Sequence, residues 1–295
     1  MLTIIPGEVP QNILHGYMVG AVGPRPICFA STIDEKGKPN LAPFSFFNIF
    51  SSNPPVAVFS PARSGRSGNT KHTHNNVKKI PEVVINVVSY SMVQQASVAS
   101  GEFPAEINEF EKAGFTPVPS VKVKPFRVKE SPVQMECKVL EIKELGTGSG
   151  SGNLIICEVL AMHINEDILN ADKKIEPGKI DLVGRMGGNW YCRASGGALF
   201  EVVQPGINFG IGIDSLPENI RNSPILTGNN LGQLASLTKL PAPEKVQEYK
   251  TGAAFSARKN ISTEELHKAA KKLLDNQQVK EAMLLLLAYE GTSKN

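Results

Sequence analysis

Short runs of alternating apolar and polar residues fill the first two thirds of the chain, and this spacing predicts β-strands. Turn residues separate the runs: Asp34 to Gly37 suits a hairpin, and Asn53-Pro54-Pro55 interrupts the pattern again. Short strands with tight turns are typical of an antiparallel barrel or sandwich. The predicted strands are residues 27–33, 40–47, 56–60, 83–88, 133–145 and 154–164.

The last two predicted strands are joined by the sequence GTGSGSGN, residues 146–153. Its glycines resemble a dinucleotide-binding loop, but a strand follows instead of a helix, and the G-x-G-x-x-G spacing is absent. The segment therefore predicts a flexible hairpin tip. The first 26 residues are bounded by prolines and are expected to lie across the barrel.

Helical spacing predicts two kinds of helix around the strands. Peripheral helices are predicted at residues 69–79, 91–99 and 105–112. Near the C-terminus, a helix begins at the capping box formed by Ser262 and Glu265, and a second helix covers residues 279–289. Together they predict a helical hairpin with one apolar face.

The chain therefore predicts a mainly β fold with peripheral helices, in two parts. Residues 1–204 form the barrel domain, and residues 205–295 form a C-terminal extension. Within the extension, residues 206–240 are glycine-rich with short apolar islands, and we expect a loop lying on a surface near the mouth of the barrel site. So short an extension is expected to bury little by itself. We therefore expect the barrel of the same or a partner subunit to cover the apolar face of the hairpin.

Composition narrows the classes of function. Of 295 residues, 41% are hydrophobic and 20% charged, which supports a substantial core and argues against disorder. The net charge is +3 with lysine and arginine scattered, so nucleic-acid binding is not expected. The longest apolar run, residues 282–289, is too short to cross a bilayer, and no signal peptide is recognisable at the N-terminus.

The cysteines and histidines indicate neither a disulfide nor a metal site. Cys28, Cys137, Cys157 and Cys192 lie far apart within apolar strand patterns, which predicts buried free thiols and a reducing, cytoplasmic compartment. On a helix, His72 and His74 would point to different sides. We therefore expect no bound metal.

Candidate chemistry is concentrated between residues 44 and 76. Serine and asparagine side chains alternate with the aromatic residues around Phe44, which suits a flat ligand rich in hydrogen-bonding groups; the alternative is a phenylalanine-rich core edged by turn residues. A glycine- and serine-rich loop then precedes a helix start that carries Lys71 and Thr73. Free N–H groups, a lysine and a hydroxyl at a helix start favour a phosphate. The alternative is a solvated helix cap with a surface lysine.

These residues resemble the flavin reductase-like family of FMN-binding split β-barrels. The run from Arg25 to Phe46 reads RPI-x-x-x-ST-x-D-x-x-G-x-x-N-x-AP-x-SF, and S-x-x-PP follows from Ser51. K-x-T-x-x-N begins at Lys71, and GRMGGNWY begins at Gly184. The resemblance covers roughly the first two thirds of the chain. It implies an FMN-binding split barrel whose flavin site is completed by a second chain in a homodimer.

The resemblance also implies which residues contact FMN. The A-P-x-S stretch would lie along the isoalloxazine, and the K-x-T helix start would meet the phosphate. Arg185 would neutralise flavin or nicotinamide charge and Tyr191 would pack near the ring; an interface salt bridge and a core tyrosine are their alternatives. His163 would either face the flavin or nicotinamide or pair with a barrel group. The implied contacts are Thr32, Ala42, Pro43, Phe44, Ser45, Phe46, Ser51, Lys71, Thr73, Asn76, Arg185 and Tyr191.

The activity that the resemblance implies is NAD(P)H:flavin reduction, with hydride transfer to flavin N5. Because this chemistry belongs to the cofactors, the sequence designates no catalytic residue. The expected partners are a second copy of the chain, the nicotinamide donor, and free flavin or a partner oxygenase. Two alternatives remain open: a non-enzymatic FMN electron carrier that docks a partner redox protein, and an enzyme that uses bound FMN on its own organic substrate.

Overall fold

The computed structural model describes residues 1–202, 209–256 and 261–290. The chain divides into two compact units, Met1–Phe200 and Glu201–Asn295. The boundary predicted after residue 204 lies outside the described residues.

The first unit is built on one antiparallel sheet. Its strand order is β2-β1-β5-β8-β9-β4-β3, and two short two-stranded ribbons, β10-β11 and β6-β7, accompany it. The strands are β1 (Cys28–Ile33), β2 (Pro39–Phe44), β3 (Phe47–Ser52), β4 (Pro55–Phe59), β5 (Glu82–Val87), β6 (Pro117–Val118), β7 (Arg127–Val128), β8 (Val133–Glu144), β9 (Asn153–Ile164), β10 (Val183–Arg185) and β11 (Tyr191–Arg193).

The two edge strands of the sheet are consecutive in the chain, and this makes the sheet curl. β2 ends at Phe44 and β3 begins at Phe47, so Ser45 and Phe46 alone connect the opposite edges. A flat sheet would hold those edges several strand widths apart. The Ser60 N–H also donates to the Phe46 carbonyl at 2.8 Å, which ties the corner to the end of β4. The result is a barrel that is open between β2 and β3.

Two clusters of buried side chains stabilise this unit. β1 contributes to both because it is buried on both faces: Ala30 belongs to the cluster with Phe59 and Ile85, and Phe29 to the cluster with Leu41 and Phe110. The second cluster lies under the helices α3 and α4. The helices of the unit are α1 (Gln11–Ala21), α2 (His72–Lys79), α3 (Val93–Val98), α4 (Glu109–Ala113) and α5 (Pro177–Ile180).

The long hairpin and most strands lie where alternation predicts them, and two details differ. The predicted strand 40–47 is two strands, because the chain turns a corner at Ser45 and Phe46. The predicted N-terminal segment contains α1, a helix without any buried residue. Ser45 and Phe46 continue the alternation of polar and apolar positions, so the pattern does not reveal the corner. Helix α1 carries apolar residues such as Ile13, Tyr17 and Met18 but buries none of its residues.

The second unit is helical and has a core of its own. Its buried cluster includes Ile220, Leu234, Leu274 and Met283, which come from four different helices. The helices are α6 (Glu218–Arg221), α7 (Gly228–Ala235), α8 (Pro243–Thr251), α9 (Ala253–Ser256), α10 (Thr263–Asp275) and α11 (Val279–Glu290). The predicted capping box is confirmed: Ser262 Oγ accepts from Glu265 N, and the Glu265 carboxylate accepts from Ser262 N.

Two expectations for the extension are wrong. Where a loop was expected at 206–240, its described part contains α6 and α7, and α7 has a capping box of Thr227 and Asn230. The apolar face of the α10–α11 hairpin packs within the unit, in the cluster that also holds α6 and α7 residues. Dispersed glycines concealed these helices, because Gly228 and Gly232 lower helix propensity without preventing a helix that packing supports.

None of the helices in residues 1–202, 209–256 and 261–290 is long and apolar enough to span a membrane.

Candidate functional site

A cleft of about 930 Å³ lies along the free edge of β2. That size is within the range of pockets that take small organic ligands. Residues of α1, β2, the β4–α2 loop, the start of α2 and the α3–α4 connection form its walls. Two residues of the edge strand β2 offer no free backbone N–H group to the cleft. The Leu41 N–H donates to Glu109 Oε2 at 3.1 Å, and Pro43 has no N–H.

Most, but not all, of the predicted contact residues line this cleft. Those that line it are Ala42, Pro43, Phe44, Ser45, Phe46, Lys71, Thr73 and Arg185. Thr32, Ser51, Asn76 and Tyr191 are not among its lining residues. Ser51 lies on β3, the other edge of the open barrel, and pairs with Val56 of β4. The described fold thus brings eight of the twelve to one cleft.

Thr32 and Asn76 do not line the cleft but belong to a hydrogen-bond network that includes two residues that do. Asn40 Nδ2 donates to Thr73 Oγ1 at 3.0 Å and to Thr32 Oγ1 at 3.3 Å, and Asn76 Nδ2 donates to Thr32 Oγ1 at 3.1 Å. Asn40, Thr32 and Thr73 are buried. The network joins β1, β2 and α2, so Thr32 and Asn76 position two residues, Asn40 and Thr73, that do reach the cleft.

One part of the cleft is built for an anion. Arg63 and Lys71 line it together with the turn from Ser64 to Asn69, which is closed by bonds from Ser64 N to Asn69 O and from Gly68 N to Ser64 O. Lys71 is the N-cap residue of α2 and makes no side-chain cap bond. The buried Arg63 Nε has no hydrogen-bond partner among the described residues. We name this region, defined by Arg63, Ser64, Ser67, Asn69, Thr70 and Lys71, the basic loop.

A carboxylate already contacts the basic loop. Glu102 Oε1 lies 2.5 Å from Lys71 Nζ. The Lys71 ammonium, with smaller contributions from the Ser64 hydroxyl and the charge of Arg66, holds the pKa of Glu102 below its usual value.

Arg25 links the end of α1 to the segment around Met186 by hydrogen bonds. Its guanidinium is buried and donates to the carbonyls of Val19 and Val22 at the end of α1 and to that of Met186. Burial, and to a lesser extent the charge of Arg185, lowers the pKa of Arg25. Arg25 appears in the family-type run of the sequence, but only the folded chain shows what it holds.

The side chains of Arg185 and Tyr191 contact each other. Arg185 donates from Nη1 to the Tyr191 hydroxyl at 3.0 Å, and its guanidinium lies 4.8 Å from the centroid of that ring. Arg185 lines the cleft and Tyr191 supports it from behind. The arrangement is a cation–π pair on the rim.

His163 lies outside the cleft and pairs with a barrel group. Its Nε2 is 2.7 Å from Glu136 Oε1, and the fully buried Glu136 carboxylate also accepts from Val121 N and Lys122 N. These contacts correspond to the structural alternative for this histidine.

Several lining residues had no signal in the sequence. Gln11, His15 and Val19 come from the exposed helix α1, and Glu109 comes from α4. Glu109 is buried, and its burial raises the pKa of its carboxyl. The serine- and arginine-rich loop at residues 63–67 could have indicated Arg63, because such loops bind anions.

Across the described ranges, no group of three or more His, Cys, Asp or Glu side chains could hold a metal ion. Three of the cysteines, Cys28, Cys137 and Cys157, are buried free thiols, and Cys192 is half-buried.

The chain is similar to known proteins over roughly its first two thirds. The model of the flavin reductase like domain matches residues 21–179. An uncharacterized protein of Aquifex aeolicus (strain VF5) is 38% identical over 190 residues, which cover 64% of this chain and 94% of that protein. Nitrilotriacetate monooxygenase component B from Bacillus cereus is similar in structure, with a TM-score of 0.64 and 29% identity, covering 68% of this chain and 98% of that chain.

The split barrel is confirmed by a further solved structure. A protein with a split barrel domain from Shewanella frigidimarina NCIMB 400 has a TM-score of 0.57 at 23% identity, over 66% of this chain and 94% of that one. The family match ends at residue 179, before the C-terminal unit begins at Glu201.

Proposed function

Because the chain belongs to the flavin reductase-like family, we propose that its cleft binds FMN and that the protein is an NAD(P)H:flavin reductase. The observation that carries the proposal is the pairing of two surfaces in one cleft. The edge of β2 from Ala42 to Phe46 supplies apolar and aromatic contacts, and the basic loop supplies cationic donors.

The residues fit FMN on chemical grounds. A phosphomonoester needs concentrated donors, and Lys71, the start of α2 and Arg63 Nε, which has no partner in the described part of the chain, provide them. A planar ring system suits the strand edge next to Phe44 and Phe46, where His15 packs edge-on against Phe46 with centroids 6.4 Å apart. A cleft of about 930 Å³ accommodates a ligand of this size.

Bound FMN supplies the chemistry, since its isoalloxazine N5 accepts a hydride from the nicotinamide donor. This chain's contribution is to bind and orient. Lys71 and Arg63 would hold the phosphate, the β2 edge would contact the ring system, and Arg185 would add positive charge at the rim. We assign no residue as a proton donor or acceptor, because hydride transfer requires none.

We also propose that two copies of this chain form a homodimer. Large exposed apolar side chains occur on α1 and on the strands β3 and β9: Ile13, Tyr17, Met18, Ile49, Phe50, Leu160, Met162 and Ile164. Phe50 is 68% exposed although it lies in a strand. Side chains of this kind are buried in subunit interfaces. The acceptor of the electrons would be free flavin or a partner oxygenase, as the similarity to a monooxygenase component suggests.

Two measurements test the proposal. Heat denaturation of the purified protein should release FMN, identified by chromatography; release of FAD alone, or no flavin binding after reconstitution, would contradict the cleft assignment. Oxidation of NADH or NADPH should occur and increase when free FMN is added. Bound FMN without turnover of either nicotinamide would instead support an electron carrier, and turnover only with an added organic acceptor would support an enzyme with its own substrate.

A further inference from the structure

One cation of the proposed phosphate site, Lys71, is held by a carboxylate of the same chain. Glu102 lies in the α3–α4 connection, and the residues Ala99 to Phe103 line the cleft opposite the basic loop's lysine. Glu102 Oε1 is 2.5 Å from Lys71 Nζ, so the ammonium donates a charge-assisted hydrogen bond to the carboxylate. Glu102 thus contacts the group that a bound phosphate would use.

Charge makes it unfavourable for both anions to share the site. A phosphomonoester carries between one and two negative charges near neutral pH, and Glu102 carries one. Like charges a few ångströms apart repel each other, so a phosphate on Lys71 favours withdrawal of the carboxylate. The pKa of Glu102 is lowered by Lys71, so protonation of this carboxyl does not relieve the conflict at neutral pH.

Around Glu102 the connection is held by local backbone bonds, although its first residue, Ala99, is buried in the cluster under α3 and α4. Its backbone bonds include Phe103 N to Gly101 O and Ile107 N to Pro104 O, which are local and would move with it. The Glu102 side chain is 54% exposed, so its withdrawal exposes no buried charge. The salt bridge to Lys71 therefore forms the main identified tie between this carboxylate and the basic loop.

We propose that Glu102 is a built-in competitor of the ligand phosphate: it occupies Lys71 in the free protein and is displaced, together with the α3–α4 connection, when a phosphorylated ligand binds. The inference rests on the proposed function and adds a specific consequence. Glu102 weakens the binding of FMN, which must displace it, but not that of riboflavin, which has no phosphate. It therefore tunes how readily the protein gives up its flavin.

The test compares flavin affinities of apoprotein variants by quenching of flavin fluorescence. Glu102→Gln keeps the shape of the side chain and removes its charge. Glu106→Gln is the matched control, since Glu106 is exposed in the same connection. Exposed ion pairs contribute modestly, so we expect Glu102→Gln to lower the Kd for FMN about two- to fivefold. Its Kd for riboflavin, and both values for Glu106→Gln, should equal those of the wild type.

A second pair of variants establishes that the effect passes through Lys71. In a Lys71→Met background, Glu102→Gln should no longer change the FMN affinity by more than Glu106→Gln does. Hydrogen exchange of residues 100–108 should increase when FMN saturates the wild-type protein and stay unchanged with riboflavin.

The outcomes separate this inference from the proposed function. An unchanged or raised Kd for FMN in Glu102→Gln overturns the inference, and a raised value would mean that Glu102 orients Lys71 for the phosphate. An equal gain in riboflavin affinity also overturns it. A wild-type protein that binds neither flavin overturns the proposed function, and the inference with it.

Discussion

Asn40 and Thr73 are 33 residues apart in the chain, and Asn40 Nδ2 donates a hydrogen bond to Thr73 Oγ1 at 3.0 Å. The bond is buried and joins the edge strand β2 to the first turn of α2. β2 supplies one surface of the proposed flavin site, and the other surface, the basic loop, ends at Lys71, the N-cap residue of α2. Their relative position therefore depends on a side-chain contact and not on the sheet alone.

Thr73→Val should destabilise the protein because it removes the acceptor of this bond. Asn40 would keep only its longer contact to Thr32, so we expect a loss of about 1–2 kcal/mol in the free energy of unfolding. Urea denaturation measures it. Thr73→Ser retains the hydroxyl and should lose much less. Equal stability of the valine variant and the wild type would show that the network does not hold α2.

Lys71→Met should weaken FMN binding about ten- to a hundredfold, because a charge-assisted donor to the phosphate is lost. Riboflavin affinity should change little. Lys79→Met is the control, since Lys79 is exposed at the other end of the same helix. Fluorescence titration of both flavins measures the effect. If Lys71→Met binds FMN as tightly as Lys79→Met does, the phosphate does not bind at the basic loop.

Phe50→Lys should convert the proposed dimer into monomers. A charged side chain at this 68% exposed position on β3 would have to be buried in a subunit interface without a partner. Light scattering after size exclusion measures the mass. Val121→Lys is the control, because Val121 is similarly exposed, at 66%, in a loop between β6 and β7. A dimeric Phe50→Lys protein would exclude β3 from the interface, and a monomeric wild type would exclude the dimer.

The C-terminal unit should lose stability in mild acid because of His267. The Ser223 hydroxyl oxygen accepts from Ile225 N and Leu226 N, so its O–H is the group that donates to His267 Nδ1, 2.7 Å away. Burial lowers the pKa of His267 below the value of about 6.5 that it has when unfolded. The neutral ring is favoured by folding. Its contribution is therefore complete above pH 6.5 and declines as the pH falls towards the lower folded-state pKa.

Hydrogen exchange of residues 263–289 at pH 7.5 and pH 5.5 tests this. Comparison of the wild type with His267→Gln at each pH removes the intrinsic pH dependence of exchange. We expect the wild type to lose more protection than the variant on acidification, while residues 133–164 of the barrel respond alike in both proteins. The same loss in both proteins would assign the acid sensitivity to another group.

Local sequence patterns located several strands and helices of both units. The apolar and alternating patterns located β8 and β9 to within a residue or two: β9 alternates along its length, whereas β8 is buried on both faces over its first five residues. The Ser262 capping box located the start of α10, because capping depends on residues three apart in sequence. The family-type motifs likewise named eight residues that line one cleft.

Contacts between residues far apart in the chain could not be predicted from such local patterns. The Asn40–Thr73 bond, the Arg25 contacts to α1 and Met186, and the Lys71–Glu102 pair each join groups with no shared motif. The core of the C-terminal unit was equally hidden, since it needs apolar side chains from several short helices, two of them rich in glycine or polar residues.

The sequence by itself therefore determined most strands of the sheet, the α10–α11 hairpin and the residue types that could meet a flavin, because periodicity, capping and turn chemistry act over a few residues. Only the tertiary structure decided which of those residues share a cleft, that the edges β2 and β3 leave the barrel open, and that Glu102 holds Lys71. Such contacts depend on how the sheet curls and where separate elements pack, and that is set by the whole set of buried contacts at once.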